Sequence, residues 1–130
     1  MNETQNKTPE VISYKGFNRN WKCRDFQYEV GITYEIDGEI TACNRGFHAC
    51  EYPLDVFGYY DPAFSRFAIV KQSGKLSRHD DDTKIASGRI TIEAEINIPQ
   101  IVEHAIKWIM SKLDPASETH TDEDRSASSA

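Results

Sequence analysis

Residues 89–98 read RITIEAEINI, with apolar and polar side chains alternating one for one. A period of two puts Ile90, Ile92, Ala94, Ile96 and Ile98 on one face of a strand and Thr91, Glu93, Glu95 and Asn97 on the other. Pro99 then suits the first turn of a helix, where a missing N–H costs nothing. Beyond it Ile101, Val102, Ala105, Ile106, Ile109 and Leu113 recur at spacings of three and four, which predicts a helix laid on the sheet. Alternation also marks residues 32–36 (ITYEI) and 39–42 (EITA), separated by Asp37-Gly38. Asp-Gly tolerates positive φ at both positions, so the pair predicts a β-hairpin. Residues 11–17 (VISYKGF) form a β-branched and aromatic run that Gly16 and the turn-prone 18–20 bring to a close. Residues 65–71 (SRFAIVK) predict a buried central strand followed by a turn at Ser73-Gly74 and a charged loop over 78–82. Residues 21–28 (WKCRDFQY) fit either an extended edge or an ordered loop.

The most demanding stretch is 46–60, GFHACEYPLDVFGYY. A glycine turn leads into a short strand over 47–50, with His48 and Cys50 on one face and Phe47 and Ala49 on the other. Pro53 then opens a short helix that turns Leu54, Phe57 and Val56 inward and stops near Gly58 and Asp61-Pro62. The pattern as a whole predicts one α+β domain over residues 11–114. Its sheet is mostly antiparallel, with a short middle helix and a C-terminal helix packed on it. Residues 1–10 and the Ser-rich, acidic residues 115–130 carry no apolar periodicity and are predicted to be disordered.

A chain of 130 residues is long enough to bury roughly two-thirds of its unfolded surface in one core. Its net charge of −6 argues against a nucleic-acid binder, which needs a basic footprint. No apolar run approaches the roughly 18 residues that span a bilayer, and residues 1–10 lack the apolar core of a signal peptide. A cytoplasmic protein with no membrane partner is the expectation. Three cysteines, Cys23, Cys43 and Cys50, then read as free thiols. Cys43, His48 and Cys50 form a C-x4-H-x-C pattern to which Cys23 could add a fourth ligand, but without the tight cysteine pairs of zinc sites no metal is expected. Asp80-Asp81-Asp82 lacks an EF-hand's alternation and reads as a solvated turn. Neither a phosphate-binding glycine loop nor a serine-hydrolase elbow is present. An acidic DNA mimic is a further reading, but 21 acidic residues against 15 interleaved basic ones are too balanced for it.

His48 has the chemistry of an acid, a base or a hydrogen-bond donor near neutral pH, or of a histidine tied to nearby backbone. Cys50 sits about 7 Å along the same strand face, too far for easy proton transfer, and reads as a small buried thiol. Glu93 and Glu95 share a strand face that is ordinarily the solvated one. Tyr59 and Tyr60 either line a pocket or cap a core.

The motifs SYKGF at 13–17, RDFQYEVG at 24–31, GFHAC at 46–50, PLDVF at 53–57 and the pair Tyr59-Tyr60 resemble a family of short proteins encoded by bacteriophages, prophages and some bacteria. That resemblance spans about residues 12–110. It implies a mobile-element accessory role with no established activity. With no complete catalytic constellation, an acidic surface and two polar ends, the chain is expected to act by binding a host or phage protein, with no cofactor and with Tyr14, Phe47, Cys50, Tyr59 and Tyr60 as the binding residues. Motif order is also similar to that of ADP-ribosyltransferases: Tyr14-Lys15-Gly16, then residues 47–50 before a short helix, then Glu93-Ala94-Glu95. This second resemblance implies NAD as the cofactor and Glu95, His48 and Lys15 as catalytic residues. Glu95 would stabilise the oxocarbenium-like transition state. Lys15 stands where that superfamily has Arg or His, and His48-Ala49-Cys50 where it has Ser-Thr-Ser.

Overall fold

The computed structural model describes residues 10–41, 45–78 and 82–113. The ends expected to be disordered (Glu10 apart), Cys43, and Asp80-Asp81 lie outside the described residues. In chain order the elements are β1 Val11–Phe17, β2 Lys22–Cys23, β3 Phe26–Gln27, β4 Thr33–Glu35, β5 Phe47–Cys50, a 3-10 helix over Pro53–Gly58, β6 Arg66–Arg78, β7 Lys84–Ile96 and α1 Ile98–Ser111. The strands pair antiparallel, and with the C-terminal helix they form a single α+β domain. Among the described residues no helix is long and apolar enough to cross a membrane.

β6 pairs with β1 and β7, β7 also pairs with β5, and β5 pairs with β1. These four pairings close a circuit, so the sheet curls back on itself and shields most of its edges. The circuit is uneven. β1 and β6 stay in register from Val11↔Gln72 to Phe17↔Arg66, whereas β1 and β5 meet only at Tyr14↔Cys50. Beyond that pair β1 and β5 part, and a gap opens between them.

Strand alternation sends side chains to two cores. Phe17, Phe47, Ala49, Val70, Ile90 and Ile92 bury with Tyr28 on one face. On the other, Tyr14, Cys50, Phe67 and Ile96 pack against Val56 of the 3-10 helix and Ile101 of α1. Ile101 is fully buried, which stabilises the helix docking by roughly 1.5–3 kcal/mol. Gln72 lies fully buried between the strands of the circuit. Its Nε2 donates to Phe47 O and Ile85 O at 2.9 Å and to Ser87 Oγ at 3.3 Å. Its Oε1 accepts from the Ser13 hydroxyl at 2.7 Å. One amide thus ties β6 to β1, β5 and β7.

Four expectations are corrected. The hairpin across Asp37-Gly38 does not form. β4 pairs with β7 instead, where Thr33 and Thr91 share a hydroxyl hydrogen bond of 2.7 Å. Ile40 is buried against Gly46 and Gly88, and Thr41 bridges Arg45. The long β7 ladder and an apolar seat for Ile40 outweigh a local turn. Ser73-Gly74 does not end a strand either: β6 runs on to Arg78 and absorbs the glycine in a register shift between Ser73 and Leu76. In β7, Ile69 faces Ala94 while Val70 faces Ile92, so one residue is extra at Glu93. That bulge moves Ile96 to the face opposite Ile90 and Ile92, where unbroken alternation had put all three together. Lastly, α1 buries only Ile101 and Ala105 among its apolar residues, and Val102, Ile106, Ile109 and Leu113 are exposed. The helix begins with a reciprocal cap in which Asn97 Oδ1 accepts from Gln100 N and Gln100 Oε1 from Asn97 N. It docks further through the Tyr14 hydroxyl on His104 Nδ1 at 2.8 Å and the Tyr52–Trp108 ring contact.

Candidate functional site

Where β1 and β5 part, a cleft of about 580 Å³ opens. β1 supplies Tyr14, Lys15 and Gly16 to its wall, and β5 supplies Phe47, His48 and Cys50. The β2–β3 turn overhangs it with Cys23, Arg24, Asp25 and Phe26, while Tyr59, Tyr60 and Lys84 close the remaining side.

The overhang is held by short-range polar contacts. Asn18 Oδ1 accepts from the N–H groups of Asn20 and Lys22, and Gln27 Nε2 donates to Asn20 O. Arg24 sits at φ 60°, a left-handed conformation that costs a non-glycine residue of order 1 kcal/mol. Phe26 is solvent-exposed on one side, yet its ring lies 4.6 Å from that of Tyr28 and 5.9 Å from that of Phe47. On the opposite side, Pro53 starts the 3-10 helix, and Asp55 accepts from the Thr83 hydroxyl at 2.7 Å. The Tyr59 hydroxyl donates to Asp82 at 2.5 Å, and Lys84 Nζ stands 4.4 Å over the Tyr59 ring.

A chain of polar contacts crosses the cleft floor. The Tyr60 hydroxyl and Cys23 Sγ are 2.6 Å apart, Lys15 Nζ is 3.7 Å from Cys23 Sγ, and Lys15 Nζ donates to His48 O at 2.7 Å. Gly16 makes this possible, because a Cβ there would stand 2.6 Å from the Tyr60 ring. Burial raises the Tyr60 phenol, with the Cys23 hydrogen bond adding to it, so the phenol keeps its proton. Burial also pushes the Cys50 thiol up to about 12, aided by the Asp55 and Asp82 carboxylates. Cys50 is therefore a packed, protonated thiol in contact with the Tyr14 core rather than a nucleophile.

Burial, followed by the nearby charges of Lys15, Lys84 and Arg24, pushes the His48 imidazole down to about 4. The ring is thus neutral at physiological pH. In the unfolded chain it takes its proton near 6.5, so unfolding binds a proton between those two values. Stability is full above about pH 6.5 and falls as pH drops towards 4. Solvent still reaches the ring, which reduces the linkage to on the order of 1–2 kcal/mol. His48→Gln is expected to remove that loss, as measured by urea unfolding at pH 7 and pH 4.5. Identical acid sensitivity in both proteins would exclude His48 as its source.

Tyr14, Lys15, Phe47, His48, Cys50, Tyr59 and Tyr60 therefore converge on one cleft. Glu95 does not join them. Lys15 faces Ala68 and Ala68 faces Glu95, so the three share a sheet face with Glu95 two strands away, roughly 10 Å between backbones. Its half-exposed carboxylate pairs with Arg66 at 3.5 Å, and Arg66 in turn lies over the Trp21 ring. Arg24, Phe26 and Lys84 are not among the site residues that the sequence predicts, and Cys23 enters there only as a cysteine. The aromatic and charged mix of 21–28 and the motif at 24–31 point to the overhang, and nothing marks Lys84. Among the described residues no cluster of three or more His, Cys, Asp or Glu side chains is arranged to hold a metal ion.

No curated protein and no solved structure matches this chain. A family model does match, over residues 11–104, which takes in every strand and the first half of α1 along with the whole cleft. The chain belongs to that family, described as Domain of unknown function (DUF7666).

Proposed function

We propose that the domain binds a small anionic molecule carrying a planar ring, in the cleft between β1 and β5. The observation that carries this reading is a contrast of charge. The chain as a whole is acidic by six charges, yet its cleft sets the cationic side chains of Arg24 and Lys84 against the single carboxylate of Asp25. A volume of about 580 Å³ suits a ligand of metabolite size. Phe26, Tyr28, Phe47, Tyr59 and Tyr60 offer ring faces and edges for an aromatic group. Arg24 is exposed and Lys84 half-buried in the cleft wall, so an anionic group held by them keeps contact with water. The setting we propose is cytoplasmic, in keeping with Cys23 and Cys50 as free thiols.

The ADP-ribosyltransferase-like reading places NAD in this cleft with Glu95 at the reacting ribose. The Arg66 ion pair and the two-strand separation of Glu95 support binding over transfer. Titration with a nucleoside monophosphate and with NAD, followed by amide NMR, tests the proposal. Shifts confined to residues around Lys15, His48 and Tyr60 are expected. Arg24→Glu with Lys84→Glu should weaken binding by about tenfold or more, since each removes a charge-assisted contact. Millimolar anions that leave these amides unshifted would sink the reading.

A second reading, an accessory role in binding a host or phage protein, is favoured by a separate observation. Val102, Ile106, Ile109 and Met110 leave an apolar stripe of α1 exposed, which Leu113 just past its end extends, and such a stripe is the kind of surface a protein partner covers. The same titration separates the two: a silent cleft leaves the helix face as the functional surface.

A further inference from the structure

Lys15 is 4% exposed, yet among the described residues no carboxylate pairs with it. Its Nζ meets the His48 carbonyl and the Cys23 thiol, and lies 5.3 and 5.8 Å from the ring centres of Tyr28 and Phe17. A buried lysine ordinarily carries an acidic partner, because an uncompensated charge costs several kcal/mol. Methionine would fill the same space, and the one close polar contact the amine makes is a neutral backbone carbonyl, which leaves an ammonium charge without compensation. Lys15 nevertheless lines the cleft, and both groups that its Nζ meets belong to lining residues.

We infer that Lys15 is a nucleophile, which takes the aldehyde or ketone group of an anionic, ring-bearing ligand as an imine. This rests on the small-ligand reading of the cleft. An amine attacks only when unprotonated, and burial holds Lys15 below the usual lysine range. In the reaction the Nζ lone pair bonds to the carbonyl carbon while the C=O π pair moves to oxygen. The oxygen gains a proton and the nitrogen gives one up. The resulting carbinolamine then loses its hydroxyl, with a further proton, as water, while the nitrogen lone pair closes the C=N bond. Amine and carbonyl enter, imine and water leave, and no oxidant or reductant is needed. The Cys23 thiol stands 3.7 Å from Nζ, and the Tyr60 phenol, which keeps its proton, is hydrogen-bonded to that thiol as the next group out.

Pyridoxal 5′-phosphate combines a ring, a phosphate and an aldehyde, and serves as the probe. The full chain is incubated with it at neutral pH, reduced with borohydride and mapped by peptide mass spectrometry. Lys15 should be labelled at least about tenfold faster than exposed Lys22 or Lys107, because an ordinary lysine is free amine only to about one part in a few thousand at pH 7. Pyridoxine 5′-phosphate, with an alcohol in place of the aldehyde, reports non-covalent binding through amide shifts. Lys15→Met should lose the adduct and keep those shifts. Should that variant fail to fold, labelling of the native chain decides alone. Label spread evenly over surface lysines, or landing on Lys84, overturns the inference. Pyridoxine 5′-phosphate binding with no Lys15 adduct also overturns it, while leaving the cleft reading intact. An adduct at Lys15 without pyridoxine 5′-phosphate binding upholds the nucleophile and removes the anion site.

Discussion

Replacing Gln72 with leucine should destabilise the domain by about 3–5 kcal/mol, a large part of the 5–15 kcal/mol that such domains have. Leucine matches the size of glutamine but makes no hydrogen bond. The Phe47 and Ile85 carbonyls would each lose a donor at 2.9 Å, and the Ser13 hydroxyl would lose its acceptor at 2.7 Å. Ser87 reaches Phe47 O only at 3.4 Å and is a weak substitute. Each buried polar group left unpaired costs about 1–3 kcal/mol, against a modest gain from the added apolar surface. Because one amide joins β6 to β1, β5 and β7, the loss should fall on the whole circuit in a single unfolding transition. Urea denaturation measures it, and a loss below about 1 kcal/mol would show that the amide is not what holds the strands together.

Gly16→Ala should cost about 1–3 kcal/mol and lower the melting temperature by roughly 5–15 °C. The added methyl would lie 2.6 Å from Cδ1 and Cγ of Tyr60 and 2.9 Å from its Cβ. The Tyr60 N–H is bonded to Val56 O, so the residue cannot easily retreat. Its ring must swing and release Cys23, which breaks the polar chain on the cleft floor. In a Tyr60→Ala background the same substitution should cost almost nothing. An equal cost in both backgrounds would mean that Gly16 is needed for the strand and not for the ring.

The elements whose information is local were legible in the sequence. The β-branched run of β1, the Phe47–Cys50 strand with Pro53 behind it, and the proline-started α1 all form where their residues predict. What failed was decided at a distance. Asp37-Gly38 is a sound turn signal, but β4 finds a longer partner in β7. The bulge at Glu93 leaves a sequence of unbroken alternation, so only pairing with β6 exposes it. Half of the cleft was visible because Phe47, His48, Tyr59 and Tyr60 fall within fifteen residues beside a glycine turn. Lys84 comes to it through the pairing of β7 with β5, and Cys23 and Arg24 through the separate β2–β3 ribbon, neither of which spacing along the chain encodes.

The single register pair between β1 and β5 has a consequence for how such a domain changes over generations. The ladder of β6 with β7 and β1 carries the fold, while the seam and the β2–β3 overhang carry most of the cleft wall. On the proposed reading, durability and ligand choice are therefore housed in largely separate segments. Substitutions at Arg24, Phe26 or Tyr59, none of them in that ladder, would then alter what is recognised while the scaffold stands. A chain built this way would be free to change its cleft, provided Gly16 and Gln72 stay where they are.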